Sequence, residues 1–244
     1  MNRFYIDGDN WQPDRVYLSP EDVHHARNVL RLKAGDQVEI IHHGCRYDGM
    51  IAEVSSDSIR IAPGSPLPST EASLRITLFQ GLPKGEKMDW IVQKSVELGV
   101  EKIVPVQMSR CVVRLKGQDG RKKADRWQRI AREAGKQSGR CILPEVMEPV
   151  DLMHLPPLLT CLDAVVIPWE SCGSGGPKSF AALHPDLQSL GIVIGPEGGI
   201  DADEISFLKC RQCTPVTLGP RILRTETAGL AAVSAFLSLY GEME

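Results

Sequence analysis

From about residue 74 onward, short apolar runs and longer amphipathic stretches take turns along the chain. LRITLFQ (74–80), EKIVPVQ (101–107), DAVVIPW (163–169), GIVIG (191–195) and PVTL (215–218) read as strands. Their apolar residues fall on consecutive positions, as in strands covered on both faces. EKMDWIVQKSVELG ending at Gly99, DRWQRIAREAGKQS, DADEISFLKC and a segment from Thr225 to Tyr240 read as helices. This alternation predicts an α/β domain around a mostly parallel sheet, with ligands at the loops beyond the strands' C-terminal ends.

Before residue 63 the dominant period is two. DQVEIIH and CRYDGMIAEV flank His43 and Gly44 as a hairpin, and SIRIA adds a short strand. Between strands, SPEDVHHARNVLR predicts a helix with Ser19 as N-cap, Pro20 at the first helical position, and Val23, Ala26, Val29 and Leu30 on one face. A small β-barrel with one helix fits. PGSPLPSTEA (Pro63 to Ala72) reads as a linker because its prolines and glycine interrupt both helix and central strand. The expected domains are therefore 1–70 and 71–244.

Two loops carry the candidate chemistry. In GPEGGI, which follows Ile194, Gly195, Gly198 and Gly199 permit close backbone approach and Pro196 stiffens the entry. Asp201 and Glu204 form an acidic analogue of a capping box for the next helix. With Glu197 and Asp203, four carboxylates lie near the turn, so it is expected to disfavour phosphate and to accept a neutral or cationic ligand. Neither a dinucleotide fingerprint nor a P-loop is present, since Pro177 interrupts GSGGPKS. The second loop, LGPRILRTET, turns at Gly219 and Pro220, and Thr225 is placed to cap a helix rich in Ala, Gly and Ser.

Composition and charge refine this picture. The chain has 244 residues, 42% of them hydrophobic, which is enough for one large core or two smaller ones. No apolar run follows MNRFYIDGDN and no segment approaches membrane-spanning length, so a cytoplasmic location without membrane contact is expected. Seven irregularly spaced cysteines read as reduced thiols. Cys210 and Cys213 form the one C-x-x-C, without a second ligand pair, and no metal is expected. The formal net charge is −3, yet residues 110–140 hold eleven Lys or Arg against three acids. Such a block is either a polyanion-binding face or a solvated helix surface.

IGPEGG followed by LGPRILRTETA resembles the C-terminal motifs of the SPOUT methyltransferases. HHARNVLRLKAGDQV, PKGEKMDWIVQKSVELGVEKIVPVQMSR and REAGKQSGR narrow the resemblance to the RsmE family, the 16S rRNA uridine N3-methyltransferases, over nearly the whole chain. The resemblance implies a PUA-like RNA-binding barrel (1–70) and a SPOUT domain (71–244) with an α/β trefoil knot, working as a homodimer on 16S rRNA or the small ribosomal subunit. It also implies that S-adenosylmethionine is held by Gly195, Pro196, Glu197, Gly198, Gly199, Leu218, Gly219, Ile222, Leu223 and Arg224, with Leu78 to Gly81 nearby. Arg224 is the expected electrostatic clamp on the uracil, and Glu226 the nearest base in sequence. Arg27, Arg31, Lys84, Arg110, Arg114, Arg129, Arg132, Lys136 and Arg140 are expected on RNA phosphates. A SPOUT enzyme modifying another RNA position and a non-catalytic RNA-binding ribosome-assembly factor are the competing readings.

Overall fold

The computed structural model describes residues 2–6, 8–12, 14–173 and 175–243. It divides into two compact units, residues 1–71 with 135–142, and residues 72–134 with 143–244.

The first unit is a curled six-stranded sheet. Its strands are β1 (Asn2–Tyr5), β2 (Trp11–Gln12), β3 (Arg15–Tyr17), β4 (Gln37–His42), β5 (Cys45–Val54) and β6 (Ile59–Leu67), in spatial order β1-β4-β5-β6-β3-β2. The β4–β5 hairpin closes through His43 (φ 47°) and Gly44 (φ 76°), the pair of positive φ angles that a tight hairpin turn requires. Trp11, on the last strand of the order, stacks on His42 with ring centroids 4.5 Å apart, which brings the two sides of the sheet together as a half-barrel. Phe4, Val16, Val23, Ile40, Ile51 and Ile61 fill its interior.

Two expectations fail here. The linker is shorter than Pro63 to Ala72, because β6 runs through Pro63 and Pro66, paired with Gly49 and Tyr47 of β5. Both prolines are tolerated because β3 pairs with β6 only at Arg60 and Ile61, leaving the rest of β6 an edge. The predicted helix begins as expected, with Ser19 accepting from the Asp22 amide and Pro20 leading α1 (Pro20–His24). It then widens into a π-type turn over His25–Val29. The change of pitch rotates Val29 out of the buried face, where it is 62% exposed.

The second unit is built on a seven-stranded sheet. In chain order its elements are β7 (Arg75–Gly81), α2 (Lys87–Glu97), β8 (Lys102–Gln107), α3 (Gly117–Ser138, whose last turn belongs to the first unit), β9 (Glu145–Val146), β10 (Val150–Asp151), α4 (Pro156–Leu159), β11 (Ala164–Pro168), α5 (Pro177–Leu183), β12 (Ser189–Ile194), α6 (Ala202–Lys209), β13 (Thr214–Val216) and α7 (Thr225–Leu239). All strand pairs are parallel, in the order β10-β8-β7-β12-β11-β13 with β9 beside β8. β12 is buried at every position, as its unbroken apolar run requires. α2 and α7 cover the sheet through Ile91, Val92, Val96, Val233, Phe236 and Leu237.

Register decides where the site lies. Ile194 of β12 pairs with Gln80 of β7, so the chain leaves both strands at the same level. At Gly81 an added Cβ would stand 2.6 Å from Pro196 N and 2.9 Å from Gly195 C, so the loops after β7 and β12 touch backbone to backbone. Gly229 of α7, by contrast, would give a Cβ ordinary contacts of 3.5–3.6 Å. Backbone contact at Gly81 is therefore closer than the contacts around Gly229 of the small-residue helix.

Candidate functional site

At the C-terminal ends of β11 and β12, and against the start of α7, opens a cavity of about 690 Å³. This is within the ordinary range for a cofactor pocket. Its wall contains the glycine-rich loop 195–199, Ile194, Ile200, Ile222 and Leu223, with Pro168 and Ala228. Charged groups at the wall are Lys84, Lys87, Glu170, Glu197 and Arg224. The structure thus brings together eight of the expected cofactor residues, from Gly195 to Gly199 and from Ile222 to Arg224. Leu218 and Gly219 line a smaller adjoining cavity that shares Pro168, Glu170, Ile222 and Leu223 with the first.

The loop is shaped by specific contacts. Gly199 has φ 72°, which closes a turn in which its amide donates to Pro196 O at 2.9 Å. The expected capping box is present, with the Asp201 side chain accepting from the Asp203 amide and Glu204 accepting from the Asp201 amide. Arg110, expected on RNA, instead donates to Gly198 O at 3.0 Å and pairs with Asp201 at 2.9 Å. The Ser109 amide donates to Glu204 at 2.7 Å. The turn after β8 is thereby fastened to the loop after β12.

These contacts show that most of the loop's carboxylates are already partnered within the protein. Glu197 accepts from Lys87 Nζ at 2.9 Å and from the Lys84 amide at 3.2 Å. Burial pushes its carboxyl upward, but Lys87 and the backbone amides outweigh that and leave it below the usual carboxylate range. The Arg110 guanidinium, after the Asp203 amide, does the same for Asp201. Glu204 is occupied by capping. The carboxylate at the wall that makes no ion pair or hydrogen bond among the described residues is Glu170, just beyond β11.

Glu226, the expected base, sits in the first turn of α7, where Lys87 Nζ lies 3.3 Å from its Oε2. Glu226 does not line the cavity, so the structure does not bring the expected base to its wall. Lys87 bridges Glu226 to Glu197, and that hydrogen bond to Glu197 leads the effects that raise the Lys87 ammonium above its ordinary value. Arg224 behaves differently. It is exposed at the cavity wall, its backbone is the N-cap of α7, and its side chain makes no hydrogen bond or ion pair among the described residues.

Lys87, Glu170 and Thr225 are the site residues that sequence reasoning missed. Glu170 carries a usable signal, since it ends VVIPWE at the C-terminus of a parallel strand. Thr225 is the expected cap of α7, but the N-cap is Arg224, and the Thr225 hydroxyl donates to Gly195 O at 2.6 Å.

The expected RNA residues separate into exposed and occupied groups. Arg129 and Arg132 are exposed on α3 and unpaired among the described residues. Arg31, with φ 54°, is likewise exposed, as is Lys84 at the cavity wall. Arg27 is exposed but donates to Ser56 O, and Arg114 to Ser109 O. Lys136 pairs with Asp22 at 3.2 Å. Arg140 is a correction. Gly139 (φ 81°) breaks the helical spacing, and Arg140 turns inward to pair with Glu71 at 2.7 Å, with 4% of its surface exposed. It is closed to phosphate. Among the described residues no group of three His, Cys, Asp or Glu is placed to hold a metal ion, and no helix is long and apolar enough to cross a membrane.

A parallel α/β sheet with a glycine-lined cavity at its strand ends, in a chain that also carries a curled β unit, defines a class. The family described as RNA methyltransferase domain matches residues 70–237, and the RNA methyltransferase PUA domain matches residues 18–63. The chain is 36% identical to ribosomal RNA small subunit methyltransferase E of Bacillus subtilis, over 96% of this chain and 95% of that one, and 32% identical to its namesake from Buchnera aphidicola, over 99% and 95%. A crystal structure of ribosomal RNA small subunit methyltransferase E from Neisseria gonorrhoeae bound to S-adenosyl methionine superposes with a TM-score of 0.81 at 30% identity, covering 98% of each chain. The chain belongs to the family of ribosomal RNA small subunit methyltransferase E.

Proposed function

We propose that this protein methylates N3 of a uridine in 16S rRNA of the small ribosomal subunit, using S-adenosylmethionine. The observation that carries the reading is the cavity itself. The backbone of 195–199 and apolar side chains wall a space of cofactor size, and an uncommitted arginine stands at its edge. Family membership supplies the substrate class, and the N3 position rests on the resemblance of the motifs.

The residues present fit the cofactor. Glycines at 195, 198 and 199 leave backbone polar groups uncovered, Ile194, Ile200, Ile222 and Leu223 offer apolar contact, and Glu170 is a carboxylate open to a cationic ligand. When bound, S-adenosylmethionine supplies an electrophilic methyl group on a sulfonium. N3 of uridine carries a proton and gains nucleophilicity as that proton passes to solvent water, so negative charge spreads onto the flanking carbonyl oxygens. The Arg224 guanidinium stabilises that charge by hydrogen bonding, the kind of preorganised contact that is most effective where water is scarce. Lys87 holds Glu197 and Glu226 as ion pairs, which fixes this side of the cavity wall.

The trefoil knot, the homodimer and the cytoplasmic location belong to the same reading. Backbone contact between Gly81 and Pro196 and the Thr225 bond to Gly195 support threading of the chain at this point. Ile222, 88% exposed at the cavity wall, supports a second copy covering the rim. Calorimetric titration tests the core of the proposal. Saturable binding of one S-adenosylmethionine per chain is expected, and a chain that binds RNA but no cofactor would be an assembly factor instead.

A further inference from the structure

The central strand RITLFQG carries, one residue before its end, a polar residue that its apolar neighbours do not explain. Gln80 is completely buried, next to Phe79 and beneath the cavity, and it is absent from the cavity wall. Its Nε2 donates to Thr225 Oγ1 at 2.9 Å and to Gly81 O at 3.0 Å. Thr225, 6% exposed, donates in turn to Gly195 O at 2.6 Å. A carbonyl can only accept, so the hydroxyl's single proton is committed to Gly195, and its oxygen must accept from Gln80. That fixes the Gln80 amide with its NH2 toward Thr225. Its Oε1 is then left without a hydrogen-bond partner, facing Gly229 of α7.

An amide buried and half satisfied at the end of a central strand is a cost that core packing alone would avoid, since Leu or Met would fill the same space. The chain Gln80 to Thr225 to Gly195 links β7, the start of α7 and the first residue of the glycine-rich loop. We propose that Gln80 and Thr225 are positioning residues for cofactor binding, which set the Gly195 carbonyl and hence the path of loop 195–199. The proposal rests on the reading of that loop as the S-adenosylmethionine cradle. Gln80 acts through Thr225, so the two form one device and not two independent contacts.

The test compares Gln80→Leu, Thr225→Val, the double variant and Thr225→Ser with the wild-type chain, using calorimetry with S-adenosylmethionine and steady-state methylation. Thr225→Val keeps shape and removes the donor, and should weaken cofactor binding by about tenfold or more, as expected when a site is displaced by a fraction of an ångström. Gln80→Leu should match it, and the double variant should be no weaker than the weaker single, because the links lie in series. KM for the cofactor should rise while KM for RNA stays unchanged, and Thr225→Ser should restore binding. Val92→Ala, a cavity in α2 away from the loop, should lower thermal stability without changing cofactor affinity. Folded Thr225→Val that binds the cofactor as tightly as wild type overturns the positioning role, and so does a double variant whose losses simply add. A wild-type chain that binds no S-adenosylmethionine overturns the functional reading itself, whereas normal wild-type binding with unaffected variants overturns only this inference.

Discussion

Gly81→Ala adds one methyl group where two loops meet. The new Cβ would lie 2.6 Å from Pro196 N, 2.7 Å from Pro196 Cδ and 2.9 Å from Gly195 C, whereas ordinary contact begins at 3.4 Å. No flexible side-chain end can yield, because two of these atoms are backbone and the third is in a proline ring. Relief requires the Gly195–Pro196 segment to move by about 0.8 Å, the difference between 3.4 and 2.6 Å. Overpacking of this kind costs about 1–3 kcal/mol of stability. A shift approaching 1 Å at a catalytic site costs up to about 10²-fold in rate. Thermal unfolding should therefore show a modest loss, while cofactor affinity and methylation rate fall far more. Gly35→Ala serves as the control. Gly35 has φ 94° with open space around it, so the substitution strains the first unit and leaves the cofactor site untouched. A folded Gly81→Ala chain with wild-type cofactor affinity and rate would refute the claim that loop 195–199 is held in place by this contact.

Arg224→Ala should lower the methylation rate by about 10²–10³-fold, the usual effect of losing one donor to developing charge. Melting temperature should change little, because Arg224 makes no ion pair or hydrogen bond among the described residues; full activity in this variant would remove the clamp. The ion pair of Glu197 with Lys87 should make the cavity acid-sensitive. The folded carboxyl lies below its ordinary 4.5, so its contribution is complete above that value and is lost as pH falls through the folded value. Lys87→Met should flatten this part of the stability profile, and an unchanged acid limb would count against the pair. On α3, Arg129→Glu and Arg132→Glu should weaken RNA binding and lower the salt slope by about 0.7–0.9 for each phosphate no longer neutralised. Arg140→Ala should instead destabilise the first unit, because it removes the guanidinium from Glu71 and leaves that carboxylate only the Cys141 and Ile142 amides, and a variant with normal stability but poor RNA binding would reverse that assignment.

The strands and most helices of the second unit were legible because burial on both faces leaves little freedom of composition. IVIG and TLF read as strand wherever they occur between amphipathic segments. Less was visible where local rules give no signal. α3 begins at Gly117, some residues before the predicted start, and GQDG carries no helix-forming preference that would reveal its first turn. β9 and β10 have two residues each, too short for any period. The glycine loops were legible as a cradle from their composition, but their electrostatics were not. Counting Glu197, Asp201 and Glu204 as charge near the turn ignored Lys87, Arg110 and the capping amides, most of which come from distant positions in the chain. Arg132 and Arg140 likewise look equivalent at helical spacing, and only the left-handed Gly139 separates an exposed cation from a buried one. Gln80 gave no warning at all, since a glutamine at the end of a strand reads as a turn toward solvent.

The most direct test is nucleoside mass spectrometry of small-subunit rRNA incubated with the purified chain and S-adenosylmethionine. The account predicts a single new N3-methyluridine per rRNA, absent without cofactor and strongly reduced with Arg224→Ala. A methyl group found on a ribose or on another base, or no incorporation into either free rRNA or assembled subunits by a chain that binds the cofactor, would contradict it.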